Sequence, residues 1–240
     1  MKIPKKITPD NLKHTIVQVR YNAGIHPELV IGTFYHLFSE TFNFVASASP
    51  SPSKELKVAE LIVSINKGFF IDKSEKIKIE VGDSAIVFNI YREYMGWDKY
   101  FSSISPIIIK LYKEGFIKEI TRIGIRYISQ FDNVNLVENL KMNFSIDILD
   151  KKLESSQIKT QYSDEHFTII LTLINKVRQK IEALKEVKTS VIDIDVIQTF
   201  SELIDFQSAL NAIEKGHQKQ KIIFFSLLQP EFLKTLKPEY

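Results

Sequence analysis

The sequence predicts an α+β protein: a mostly antiparallel sheet with helices packed on one face, laid out as two strand-rich modules each closed by a helix. Three observations carry this reading. Segments that alternate apolar and polar residues outnumber helical ones, short turns rather than long crossovers join most of them, and an amphipathic helical stretch follows each run of strands. With 240 residues, 44% hydrophobic and 25% charged, the chain can bury a substantial core as a single compact unit over 1–240, with a subdivision at 1–130 and 131–240 if the modules are distinct.

The first strand is expected at 16–20, where Ile16, Val17 and Val19 are strong β-formers. Pro27 suits the first position of a helix, and Val30, Phe34, Leu37 and Phe38 recur at helical spacing, predicting a helix over 27–40. A strand over 42–48 runs into the low-complexity stretch Ser47-Ala48-Ser49-Pro50-Ser51-Pro52-Ser53. Strands follow at 59–66, 76–81 and 84–92, the last two joined as a hairpin at Val81-Gly82-Asp83.

Trp97, Phe101, Ile104, Ile108 and Leu111 mark the second helix; Pro106 should kink it or restart it at Ser105, and Gly115 should close it. The longest clear strand covers 117–129, a short helix is expected within 133–140, and strands recur at 142–148, 157–163, 166–176 and 188–198. The stretch 176–186 admits either helix or strand. The last helix takes Ser201 as N-cap and carries Leu203, Phe206, Leu210, Ile213, His217, Phe224 and Leu227 on one face. Gly216 interrupts it at a cost of about 1 kcal/mol relative to Ala.

Composition narrows the chemistry. The 32 basic and 29 acidic residues nearly balance at +3, so any nucleic-acid or lipid-binding surface must be local. The absence of cysteine removes disulfides, thiol catalysis and thiolate-bound zinc. The lysine-rich start is not followed by an apolar stretch, and the apolar run at 222–228 is far shorter than the roughly 20 residues that span a bilayer. A cytoplasmic protein with no membrane partner is the expectation.

The eight glycines are never closer than eight positions apart, which excludes a Walker loop, a dinucleotide fingerprint and a nucleophile elbow, since each needs two glycines close together. No two of the five histidines stand at a local zinc-binding spacing. Arg20 with His26 matches a ribonuclease-like spacing, but the pair straddles a strand end and the Gly24 turn rather than sharing a helix. Glu55-Leu56-Lys57 lacks the upstream acid that a nuclease core requires. No catalytic set, metal site or cofactor site is predicted.

Five groups of residues remain as candidates. In Ile120-Thr121-Arg122-Ile123-Gly124-Ile125-Arg126-Tyr127, alternation puts Arg122, Gly124 and Arg126 on one face, the two arginine Cα atoms about 13 Å apart with no side chain between them. The arginines either pair with acids across the sheet or flank a shallow pocket that binds phosphate, carboxylate or a nucleic-acid backbone. Asp193 and Asp195 share one face of their strand and are the obvious counter-charges; the alternative is a divalent-metal site. Asp164-Glu165-His166 reads as a turn, His217 as a buried, hydrogen-bonded histidine on the apolar helix face, and Trp97 as core packing rather than as a base-stacking platform beside Tyr91, Tyr94 and Tyr100.

The segment Arg122-Ile123-Gly124-Ile125-Arg126-Tyr127-Ile128 resembles the central strand signature, Arg-Ile-Gly-(Leu/Ile)-Arg-Tyr, of a sporadically distributed family of uncharacterised bacterial proteins of similar length. Ile16-Val17-Gln18-Val19-Arg20 is similar to that family's opening strand, and Trp97 to its aromatic lead into the middle helix. His217, Phe224, Phe225-Ser226-Leu227-Leu228 and Leu236-Lys237-Pro238 are similar to its closing helix and tail. The resemblance implies one full-length unit in a bacterium, within a mobile or defence-related gene module, and no particular reaction. The expected function is a non-enzymatic binding or interaction protein whose partner the sequence does not identify, a protein and a nucleic acid both being open. The alternatives are nucleic-acid binding through the Arg122–Arg126 face, and a metal-dependent hydrolase or nuclease using Asp193, Asp195 and His166 or His217.

Overall fold

In the computed structural model, which describes residues 2–46, 68–142, 155–182 and 185–240, the elements follow the order β1 (Leu12–Ala23), a 3-10 turn (Pro27–Leu29), α1 (Val30–Phe38), β2 (Phe42–Ala46), β3 (Gly68–Asp72), β4 (Ile77–Gly82) and β5 (Ala85–Ile90). After these come α2 (Trp97–Lys113), β6 (Ile117–Asp132), α3 (Leu136–Asn139), β7 (Ser156–Asp164), β8 (Phe167–Glu182), β9 (Lys185–Thr199), α4 (Phe206–Leu227) and α5 (Pro230–Thr235). The expected strand at 59–66, the Ser/Pro loop, Glu55-Leu56-Lys57 and nearly all of the strand at 142–148 lie outside the described residues. The strands form one antiparallel nine-stranded sheet in the order β2-β3-β4-β5-β1-β6-β9-β8-β7, an α+β fold. Among the described residues, no helix is long and apolar enough to cross a membrane.

The chain divides into two compact units, both discontinuous in sequence: one takes Met1–His14, Arg126–Val196 and Lys215–Tyr240, the other Thr15–Ile125 and Ile197–Glu214. The second of these is organised by register. Phe44, Phe70, Ile79, Phe88 and Val17 stand opposite one another across β2, β3, β4, β5 and β1, so they share one face of the sheet. Phe34 of α1 closes over that face, its ring centroid 4.6 Å from that of Phe70, and Tyr100 of α2 donates its hydroxyl to the Thr15 carbonyl at 3.2 Å. From Phe70 to Val17 the row is almost completely buried, while Phe44 on the outer strand stays 41% exposed, and that burial is why the alternation of the sequence is so legible here.

In the other unit, Phe167, Ile169, Leu171 and Leu173 of β8 and Ile192, Ile194 and Val196 of β9 pack with Phe131 of β6 and with Phe224, Phe225 and Phe232 of α4 and α5. The 7–8 hairpin closes through Glu165-His166, with Asp164 opposite Phe167 and Glu165 at φ 54°. Asp164-Glu165-His166 is therefore turn chemistry, as expected. Where it is described, the stretch 176–186 is strand, because β8 and β9 are long strands of the sheet and tertiary pairing outweighs the helix propensity of its Lys, Gln and Glu residues.

Two helix ends merit comparison with expectation. Gly115 closes α2 as predicted: at φ 70° it allows Phe116 N–H to donate to the Leu111 carbonyl and its own N–H to donate to Tyr112, the paired bonds of a Schellman motif. Pro106 does not break this helix, which runs on to Lys113. The start of α4, by contrast, is capped by Asp205 rather than Ser201. Asp205 Oδ1 accepts from Ser208 N–H at 2.7 Å, and Leu203, lying before the helix, is 74% exposed.

Two predictions follow from these junctions. A Cβ at Gly24 would lie 2.0 Å from the Gly115 carbonyl oxygen, so Gly24→Ala should lower the free energy of unfolding by about 3 kcal/mol, read by urea titration; an unchanged midpoint would contradict the contact. The hydrogen bonds from Ser208 hold the Asp205 carboxyl below its ordinary pKa of 3.8. The stability it gives is present above that ordinary value and is lost as pH falls through the lowered one. Asp205→Ala should therefore lower the melting temperature at neutral pH, Asp205→Ser should largely keep it, and the difference between wild type and Asp205→Ala should shrink in strong acid.

Candidate functional site

Alternation on β6 sends Arg126 to the face opposite Tyr127, and alternation on β9 sends Asp193 away from the apolar Ile192 and Ile194. The two meet as a fork. Arg126 Nε donates to Asp193 Oδ1 at 2.9 Å and Nη2 to Oδ2 at 2.7 Å, with side chains only 15% and 4% exposed. Burial pulls the guanidinium pKa down, but the hydrogen bonds and charge of Asp193, with Asp195 adding to the field, more than offset it, so the pKa is raised. This is the arginine–acid pairing that the sequence offers as one of its two readings. Asp195 is half-buried on the same strand.

Arg122 belongs to the other unit, and its Nη1 donates to Gln18 Oε1 of β1 at 3.0 Å. Gly124 is buried. His217 is 6% exposed on α4, where its Nδ1 shares a 2.8 Å hydrogen bond with the Tyr127 hydroxyl, the direction set by the imidazole tautomer. Trp97 stacks on Phe101, centroids 5.3 Å apart and planes 9° from parallel, and its Nε1 donates to Glu214 Oε2 at 2.6 Å. Among the described residues, no group of three or more His, Asp or Glu side chains is placed to hold a metal ion. Gln18, Tyr127 and Glu214 are the partners that sequence reading does not find; Tyr127 is legible there only as an apolar-face residue.

A further feature lies in the unit of Thr15–Ile125. A cleft of about 800 Å³ opens between the outer stripe of α2, the end of α1 and the turn joining β3 to β4. Phe38, Phe42, Ile77 and Ile107 supply apolar lining, and Lys73, Lys76, Lys99 and Lys110 bring amines to it. On α2, the lining residues Lys99, Ser102, Ser103, Pro106 and Lys110 recur at helical spacing. In the sequence that pattern reads as a solvated polar face, so nothing marks it as a recess.

No protein-family model matches this chain, and no curated protein matches it.

The Arg126–Asp193 fork makes a stability prediction. Arg126→Ala leaves a carboxylate that is 4% exposed without its partner, so the free energy of unfolding should fall by about 3–5 kcal/mol. Arg126→Met combined with Asp193→Leu should recover most of that loss. A double-mutant cycle with coupling below about 0.5 kcal/mol would mean the pair is not held as described.

Proposed function

We propose that the protein is a non-enzymatic binding protein of the cytoplasm, in which the β6 arginines support the sheet and the α2 cleft does the recognising. One contrast carries the reading: the side chains that the sequence nominates for chemistry are engaged inside the fold, whereas, among the described residues, three of the four cleft lysines are not. Arg126 is held in the Asp193 fork, His217 is bonded to Tyr127, and Trp97 is stacked and bonded to Glu214. Lys73, Lys76 and Lys99 have no side-chain partner among the described residues, although they line a recess of binding-site size. A guanidinium committed to a carboxylate is a poor phosphate clamp, which counts against nucleic-acid binding through Arg126.

The test is direct. Purified protein should show no hydrolysis of phosphodiester or ester substrates with magnesium or manganese. It should also show no steep salt dependence in fluorescence anisotropy with single- or double-stranded DNA or RNA. Turnover abolished by a chelator and by Asp193→Asn with Asp195→Asn would replace this reading with the hydrolase. Salt-sensitive nucleic-acid binding lost in Arg122→Ala would replace it with the nucleic-acid reading.

A further inference from the structure

Resting on the binding-protein reading, we propose that the α2 cleft is a site for a phosphorylated small molecule with an apolar body. The charge around the cleft is lopsided for a structural reason. Its acids are Asp72 and Glu40. Asp72 is committed to its own turn: Oδ1 accepts from Lys76 N–H at 2.7 Å and Ile77 N–H at 2.6 Å, while Oδ2 accepts from the N–H and hydroxyl of Ser74. That arrangement fixes the backbone carrying Lys73 and Lys76 and aims the carboxylate at amides rather than at the ammonium groups. Lys110 is also occupied, donating to the Leu37 carbonyl at 2.8 Å with its ammonium 5.0 Å from the Phe38 ring centroid. Lys73, Lys76 and Lys99 remain, with Glu40 as the other acid along the lining.

A second hollow of about 380 Å³ shares Ser74, Lys76, Met95 and Lys99 with the first, so Lys76 and Lys99 stand where the two recesses meet. Nearby Glu75 does not neutralise them, being held by Arg92 at 2.5 Å. Lys73, Lys76, Lys99 and Lys110 outnumber the remaining acids, Glu40 in the cleft and Glu93 in the second hollow, an excess that suits a dianion better than a single carboxylate, and low-dielectric walls on one side strengthen their field. The apolar lining and the volume of about 800 Å³ call for an attached body rather than a bare ion.

The probe is 1-naphthyl phosphate, titrated into the full chain by isothermal calorimetry, with inorganic phosphate and 1-naphthol as the two halves. The ester should bind saturably at one site, at least roughly tenfold more tightly than either half. Lys76→Ala with Lys99→Ala should weaken it by about tenfold or more at an unchanged melting temperature, since both lysines are exposed. Lys73→Ala alone provides a second, milder variant that should weaken it in the same direction. No saturable binding, naphthol binding as tightly as the ester, or affinity unchanged in these variants would overturn the site while leaving the non-enzymatic reading intact. Release of fluorescent naphthol with the lysine dependence preserved would do the reverse, supporting the site and overturning the non-enzymatic reading.

Discussion

A guanidinium removed from most of its water is tolerable inside a sheet because both oxygens of a carboxylate meet its Nε–Nη2 edge. The Arg126–Asp193 fork is that constraint here, and much of the unit around it depends on it. A buried ion pair is weak evidence of net stabilisation, since desolvating two charges offsets most of their attraction. Its effect is on alternatives. Asp193 lies between Ile192 and Ile194, which pack in the core with Phe224 and Phe225. A one-residue slip of β9 would turn the carboxylate into that core and carry isoleucine to the guanidinium. The same bonds therefore bias the strand toward one register, and they remove Arg126 from the stock of groups available to a ligand.

Charge is handled differently in the cleft. Exposed ammonium groups keep their hydration, so leaving them without counter-ions costs little to folding. An unneutralised cluster of cations can persist at the mouth of a recess when it could not persist inside a sheet. What concentrates it is local chain geometry: Asp72 ties down the turn between β3 and β4, and helical spacing along α2 returns Lys99 and Lys110 to the same side. The near-neutral total charge of the chain hides this, because averages say nothing about placement.

How much of this was legible in the sequence depends on the reach of each signal. Short-range patterns read well. The alternation of β6, the Gly115 stop and the hairpin at Gly82 rest on neighbours a few residues apart, and all three appear where expected. The start of α4 read poorly because two good caps, Ser201 and Asp205, lie four residues apart, and Leu203 happens to continue the apolar period although it faces solvent. Strand β3 and helix α5 leave no comparable short-range signal, and the stretch 176–186 admits helix as well as strand, since its charged residues favour helix locally and only the completed sheet decides it. At the candidate site, opposite alternation on two strands was enough to suggest an Arg126–Asp193 pair. Gln18, Tyr127 and Glu214 were beyond reach, their partners being 104, 90 and 117 residues away, and a recess formed by three separate elements leaves no linear trace.

The interleaving of the two units bears on how the chain must be made. Neither unit is a contiguous stretch: residues 15–125 leave the ribosome before 197–214 exist, and the apolar rows of β8 and β9 emerge ahead of Phe224, Phe225 and Phe232. Vectorial synthesis therefore cannot finish one unit and then begin the other. The nascent polypeptide carries uncovered isoleucine and phenylalanine until its final helices appear, a period in which chaperone capture and self-association compete with folding. Cutting the gene near codon 130 would yield two fragments that each lack part of a core, so tolerated breakpoints should be sought at surface turns instead.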